Sequence, residues 1–502
     1  MENQEQHDNL PEKCPPTSTA ISPRLRDRIL RAVGWAGGGF LFDKVIAAVQ
    51  LVILARILTP ADFGVMAASA AVLLAMLTIS EFGIEATLIA KENVTEEDLA
   101  TAWSASALRG LVLASGVWMM AGMISELMRM PLLEPLLRVH AWALIIQGLY
   151  SPALAVMMKR LDLRRRVTLD AVRRGVETTV TLTIALVYRT VWALVIGQLV
   201  ALAVGCLLSF RVTRFVPHWS LRGSALSYFA HYGSRLNATT LCAFAVMTGG
   251  EFVIGRLLGA EALGMYQLAM AIPLLIGARA TALMQQISVP TYASLQQDQL
   301  GLIRVFNLQV GLIGVIYIPL AVTIGTLSPV MVPVVFGPQW GDIVDPLRVL
   351  CLYAVCSGYA SVMASLHYGM RRPDLQMRSW IGQCALYLAI IVPMTHWLGV
   401  LGAALSLTGS YLFGVALQAW ESRRLLGSSS NDTFLSLSRT GSLGILMGMV
   451  LSTVQLQHRV FVSWTPEILG LVAILLFGGY LWWIERPRLN ALWNYQSQCV
   501  RA

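Results

Sequence analysis

The chain has 502 residues, 56% of them apolar and 13% charged, with a formal net charge of +9 and a mean hydropathy of +0.64. A soluble chain is usually about 45–50% apolar and about 25% charged, so this balance excludes an ordinary water-soluble domain. The positive excess sits in short loops between apolar runs, which argues for membrane topology and against nucleic acid.

Residues 1–32 read as a cytoplasmic tail. It is polar, carries Pro11, Pro15, Pro16 and Pro23, and ends in the basic stretch RLRDRILR at 24–31, suited to a membrane surface. No apolar signal-peptide core precedes the first span. From residue 33 the apolar runs are long enough to cross a hydrocarbon core as helices. Twelve spans are expected at 33–55, 64–88, 103–124, 134–158, 168–188, 191–210, 228–254, 263–289, 306–330, 347–367, 377–397 and 400–420. Two more follow at 440–457 and 466–484, the first of them short in its core. The fold expected is an all-α integral membrane protein of about fourteen transmembrane helices. One six-helix bundle covers 33–215, a second covers 216–425, and a helix pair with a cytoplasmic C-terminus covers 426–502. Trp35, Trp103, Trp192, Trp340, Trp397 and Trp464 stand near span ends, where interfacial anchoring places tryptophan.

Charge sets the direction. Under this map one set of loops holds 23 basic residues, and the opposite set holds seven: Arg56, Arg129, Arg138, Arg189, Arg256, Arg348 and Arg459. The rich face is expected in the cytoplasm, with both termini.

ARILTPADFG at 55–64 and GRLLGAEALG at 255–264 each join two apolar runs on the sparse face. Thr59, Pro60 and Asp62 spell a helix start with a capping box, and Leu58 with Phe63 supplies a hydrophobic staple. Thr95 to Asp98 is a second capping box. Six helices separate the two decapeptides, so the halves are expected to be parallel, related by an axis along the membrane normal.

Charges inside spans are expensive and therefore informative. They are Asp43 and Lys44 in the first span, Glu81 and Glu85 in the second, Arg109 in the third, Arg235 and Glu251 in the seventh, and Arg279 in the eighth. The fifth opens with Asp170, Arg173, Arg174 and Glu177, whose i,i+4 pairs Asp170–Arg174 and Arg173–Glu177 suit mutual neutralisation. Arg109 can snorkel, Arg235 can meet lipid phosphate, and Glu251 can reach water. Asp43 and Lys44 project about 100° apart, so they do not neutralise each other along one face. Glu81 and Glu85 share a face, for pairing with basic groups or for carrying a proton; Asp43 joins them as a candidate for ion coupling. A lumen holding Lys44, Arg109, Arg235 and Arg279 would be cationic and would select anions such as phosphate or diphosphate head groups.

The seven cysteines form no CxxC pair, the histidines form no HExxH, and no Walker A loop occurs. Neither metal nor cofactor has residues to rest on.

LARILTPADFGVMAASAAVL at 54–73, EFGIEATLIAKENVTEEDLATAW at 81–103, VVFGPQWGDIVDPLRVLCLYA at 334–354 and YGMRRPDLQMR at 368–378 resemble bacterial polysaccharide exporters. These are the Wzx-like flippases of the multidrug/oligosaccharidyl-lipid/polysaccharide superfamily. The resemblance spans about residues 30 to 425 and is most specific around Phe336–Trp340. It implies a bacterial inner-membrane transporter rather than an enzyme. The implied activity moves undecaprenyl-pyrophosphate-linked oligosaccharide repeat units from the cytoplasmic to the periplasmic leaflet, for lipopolysaccharide or exopolysaccharide synthesis. It also implies a monomer among membrane lipids, with polysaccharide polymerase machinery as a candidate neighbour. A flippase for the cell-wall precursor and a cation-coupled multidrug antiporter share the topology. A purely structural membrane protein would need neither Lys44 nor Arg279.

Overall fold

The computed structural model describes residues 23–80, 94–159, 163–220 and 237–427, and Ile84, Thr87, Leu88 and Lys91 besides. Glu81, Glu85, Arg235 and the spans expected at 440–457 and 466–484 lie outside the described residues, as does the side chain of Arg279.

Helix α1 (Pro23–Ile57) runs without a break through the basic stretch that the sequence assigns to the membrane surface, and leads by Leu58 and Thr59 into α2 (Pro60–Ile79). The expected capping box is formed: Asp62 N–H donates to Thr59 Oγ1 at 3.3 Å, and Thr59 N–H donates to the Asp62 carboxylate at 3.0 Å. Helix α3 (Glu96–Met128) opens identically on Thr95 and Asp98, and Lys91 closes on Asp98 at 2.7 Å.

The expected fourth span is three pieces, α4 (Leu133–His140), α5 (Trp142–Gly148) and α6 (Ala153–Lys159). Pro152 has no N–H and cannot continue a helix interior. Polar groups released at the break find side chains, as a membrane interior requires: Trp103 Nε1 donates to Leu149 O at 3.1 Å, and Ser151 N–H donates to Ser209 Oγ at 3.2 Å. Helix α7 (Leu163–Tyr188) packs on α1 and on α8 (Trp192–Thr213).

The second half comprises α9 (Asn237–Met247), α10 (Gly249–Ser294), α11 (Gln299–Val335), a 3-10 helix (Pro338–Ile343), α12 (Val344–Gly369) and α13 (Pro373–Leu426). Two of these are long enough to supply two spans each. α10 has 46 residues and turns at Gly259 (φ 86°); α13 has 54 and turns at Gly399 (φ 60°). Only glycine takes such φ values at little cost. The boundaries expected between residues 254 and 263 and between 397 and 400 are therefore these two turns.

Among the described residues seven helical stretches are long and apolar enough to cross a membrane. Large apolar side chains such as Leu74, Leu111, Met119 and Leu207 stand exposed along their outer faces, where lipid would cover them. The protein is an all-α, multi-spanning membrane protein.

Candidate functional site

Helices α2 and α10 make the most extensive contact between the two halves. The two decapeptides touch there, and they touch reciprocally. A Cβ added at Gly64 would overlap the carbonyl oxygen of Ala260, and one at Gly264 would overlap that of Pro60. Each glycine faces the residue that begins the other copy's second helical arm. Below them α2 continues with buried Ala67, Ala68, Ala71 and Ala75, the small residues that let membrane helices approach closely.

The FGPQW block completes this closure. Trp340 is fully buried, not an interfacial anchor as its place near a span end suggests. Its Nε1 donates to Ala55 O at 2.8 Å, Gln339 Nε2 donates to the same oxygen at 2.9 Å, and its ring meets Phe63 edge-on at 5.3 Å. In the other direction Arg56 Nε donates to Val335 O at 2.9 Å, and Arg56 Nη2 donates to Val334 O. A guanidinium at the last carbonyls of α11 also meets the negative end of that helix dipole. So the first half caps α11, and the loop after α11 caps α1. Sequence reading gives the decapeptides as junctions between spans; the structure makes them, with the FGPQW block, the clamp between the halves.

The charged residues fall into two groups on neighbouring faces of α7. Arg174 turns to α1, where its Nε meets Asp43 at 2.7 Å, and it also lies 3.4 Å from Glu177. Lys44 Nζ sits 3.8 Å from the same Asp43. Two expectations are corrected here. Asp43 and Lys44 do approach each other, because the lysine stem is long enough to sweep back past its own backbone. Asp170 pairs with Arg166 at 3.2 Å and not with Arg174, which the inter-helix carboxylate has taken.

Arg173 turns the other way. With Arg109, Arg166, Asp170, Gln147 and Tyr150 it lines a cavity of about 520 Å³ between α2, α3, α5, α7 and α8. Arg109 Nη1 donates to Ser80 O at 3.2 Å, at the C-cap of α2. Arg173 lies 3.8 Å from Glu177. The structure thus brings Asp43 and Lys44 together, and sets Arg109 in the cavity on the neighbouring face of α7. Sequence reading counted Arg166 among the basic residues of the loops and paired Arg173 with Glu177, a contact the structure holds at 3.8 Å, without placing either arginine at a cavity. The signal was present in the run of arginines at 164–166 and 173–174.

Elsewhere Glu251, expected near water, is half-buried and bonded to Gln267. His140 lies 2.7 Å from Ser69 in the first half, and His367 lies 3.2 Å from Ser422 in the second. Cys206, Cys351 and Cys356 are buried free thiols, packed as small hydrophobes.

Residues 53–345 match the family described as polysaccharide biosynthesis protein. Among curated proteins the chain is similar to the lipopolysaccharide biosynthesis protein WzxC of Escherichia coli (strain K12). The two are 24% identical over 424 residues, which is 82% of this chain and 85% of that one. It is also similar to the succinoglycan biosynthesis transport protein ExoT of Rhizobium meliloti (strain 1021), 21% identical over 64% of this chain and 66% of that one. Among solved structures, the lipid II flippase MurJ in its inward closed conformation superposes with a TM-score of 0.71 at 13% identity, covering 89% of this chain and 98% of that one. An inward-facing multidrug resistance MATE family transporter gives 0.60 at 13% identity, covering 76% and 94%. At these identities the superpositions speak for the fold.

Proposed function

Since the chain belongs to the polysaccharide biosynthesis protein family, we propose that it is an alternating-access transporter of lipid-linked oligosaccharide repeat units in the bacterial inner membrane. The cargo is an undecaprenyl-pyrophosphate-linked unit destined for lipopolysaccharide or exopolysaccharide, carried from the cytoplasmic to the periplasmic leaflet. The observation behind this reading is the reciprocal contact of the two decapeptides. A carrier of two parallel halves, 33–215 and 216–425, can open to either side by rocking them about one axis, and a matched contact across that axis is what such halves present when one side is shut. The sugar and diphosphate cannot enter hydrocarbon unaided, while the polyprenyl tail stays in lipid. Lys44, Arg109, Arg235 and Arg279 are the substrate-binding residues of this proposal, and residues 426–502 serve packing or contact with polymerase machinery.

The test is deletion and complementation. In a strain lacking this exporter, lipid-linked repeat units should accumulate in the cytoplasmic leaflet and surface polysaccharide should fall; the gene should restore both. Unchanged leaflet distribution after deletion would end the proposal.

The orientation follows from the 23-to-seven basic split. Reporters active only in the cytoplasm should work when fused at positions 162, 218, 374 and 430, and should fail at 60, 260 and 340. Inversion, or a change of side within one half, would overturn it.

Glu81 and Glu85, four apart on one helix face, are proposed to carry or gate a proton. The double change Glu81→Gln with Glu85→Gln should slow gradient-driven movement and leave passive exchange of cargo. If a pH gradient never drives wild-type transport in vesicles, the pair is structural.

A further inference from the structure

We propose that the second half binds a monovalent metal cation between α12 and the two arms of α13, on the Glu421 carboxylate with the amide oxygens of Gln376 and Gln418 and the hydroxyl of Ser379. The site is separate from the charges given to cargo and to a proton above, and it does not depend on the transport reading.

Helix geometry gathers these residues. α13 turns at Gly399, and its second arm packs back along its first. On the first arm Gln376, Ser379 and Gln383 stand at i, i+3 and i+7, which is one helix face. On the second arm Gly414, Gln418, Glu421 and Ser422 share a face in the same way. The two faces meet. A Cβ added at Gly414 would press on Gln383 Oε1, and Ser379 Oγ donates to Glu421 Oε2 at 3.0 Å. Gln418 stands between those two contacts along its arm. α12 closes the third side: His367 Nε2 lies 3.2 Å from Ser422 Oγ, and Gln376 stands against His367.

Every polar side chain in this seam is buried, and buried polar atoms are nearly always hydrogen-bonded. Here Gln376 Oε1, Gln418 Oε1 and His367 Nδ1 have no hydrogen-bond partner. The two amide oxygens can only accept. Among the described residues no lysine or arginine forms an ion pair with Glu421. Its charged neighbours are Arg378 and Asp374. Arg378 is exposed, and Asp374 is held by exposed Arg372 through two bonds of 3.0 Å. The seam therefore leaves a carboxylate and lone pairs over, which is the complement of a cation.

The donor set names the class. Oxygen ligands suit hard metal ions. One carboxylate among neutral oxygens balances a single positive charge. A divalent ion would leave a charge over in the interior of a membrane protein, where it is costly. A proton on Glu421 would supply one donor and leave an amide oxygen unanswered.

The experiment uses the full chain in neutral-lipid nanodiscs at constant ionic strength. It follows the melting temperature as NaCl or KCl replaces choline chloride. A ligand bound by the folded protein alone stabilises it, so at least one alkali cation should raise the melting temperature, and the rise should saturate. Choline, whose charge is wrapped in methyl groups, should not. Glu421→Gln should abolish the rise. Gln418→Met keeps the volume and loses the oxygen; it should weaken apparent affinity about tenfold or more, the scale of a lost contact to a charged group. If Glu421→Gln unfolds the protein, Gln418→Met and Ser379→Ala carry the test. Sodium and potassium behaving as choline does in the wild type would overturn the site. So would a rise that survives in every folded variant, because the ions then bind elsewhere. A melting temperature that follows pH and not alkali cation gives Glu421 a proton instead and also ends the proposal. None of these outcomes bears on the transport reading, which stands or falls on trapped repeat units after deletion.

Discussion

Valine at Gly64 or at Gly264 is expected to abolish export. Each glycine faces a backbone carbonyl of the opposite half, at Ala260 and at Pro60. A side chain tip can swing away from an added methyl group, but a carbonyl within a helical turn cannot. The halves must part on that face. Overpacking a tight contact typically costs about 1–3 kcal/mol, and about 1.4 kcal/mol is tenfold in an equilibrium constant. The closed arrangement should therefore lose roughly ten- to hundredfold in population. An alternating-access carrier that cannot shut one side cannot complete its cycle. Trp340→Phe removes one buried donor to Ala55 O and keeps most of the ring, so it should cost only about 0.5–1.5 kcal/mol and slow export without ending it. Two measurements check this. Surface polysaccharide in a complemented strain reads export, with membrane protein level alongside. Spin labels replacing Arg138 and Arg348, one in each half, read the distance across the face, which should lengthen and broaden in the valine variants. Wild-type export with an unchanged distance would refute the clamp.

Local rules were legible in the chain, and long-range partners were not. The Thr59–Asp62 and Thr95–Asp98 boxes follow from spacing alone, because the bonded groups are three residues apart. The span ends near residues 254 and 263 follow from apolar run lengths, and the turn at Gly259 realises them. The fourth span failed because its composition is apolar enough to read as one run; Pro152 marks the second of its two breaks, nothing in the sequence marks the first at Ala141, and sequence does not say which side chains will satisfy the groups they free. The clamp failed for a different reason. Arg56 and Val334 are 278 residues apart, and a repeat of ten residues says that two junctions are alike without saying that they meet. Arg174 illustrates the same limit. Its i−4 neighbour Asp170 is the better guess from one helix, but Asp43 on α1 offers a carboxylate at 2.7 Å, and Arg166 is left to Asp170.

That rearrangement sharpens what the clamp and the charges do together. Asp43 and Lys44 stand in α1, whose far end at Ala55 and Arg56 is tied to the second half. The partner Arg174 stands in α7, whose next residue, Arg173, lines the cavity. The Asp43–Arg174 ion pair and the Thr178–Gln50 hydrogen bond therefore link the helix tied to the clamp with the helix that lines the cavity. Motion of α1 relative to α7 would strain the Asp43–Arg174 contact. Such a shared element is what coupling between two places requires.

Alanine at Lys44 or at Arg279 is expected to cripple export in protein that still folds and inserts. The structure lets this be told apart from simple destabilisation. Asp43 holds Arg174 at 2.7 Å and Lys44 at 3.8 Å. Removing Lys44 leaves Asp43 with its closer partner, so a purely structural lysine should cost less than about 1 kcal/mol, as partly exposed pairs do. Asp43→Asn removes this carboxylate from both cations at once, while Arg174 keeps Glu177 at 3.4 Å. That should cost about 1–3 kcal/mol, below the figure for a fully buried pair because about a third of the Asp43 side chain is exposed. The expected pattern is thus crossed: Asp43→Asn lowers the melting temperature more, and Lys44→Ala lowers export more. Arg279 lies on the arm of α10 that follows Gly259, in the half opposite Lys44. Arg279→Lys should keep part of the activity if charge alone matters, and little if a forked contact to phosphate matters. Complementation of an exporter-deficient strain reads all four variants as surface polysaccharide, with trapped lipid-linked repeat units as the second readout. Full complementation by both alanine variants at normal membrane level would remove Lys44 and Arg279 from the cargo path and leave Arg109 and Arg235 of the proposed set.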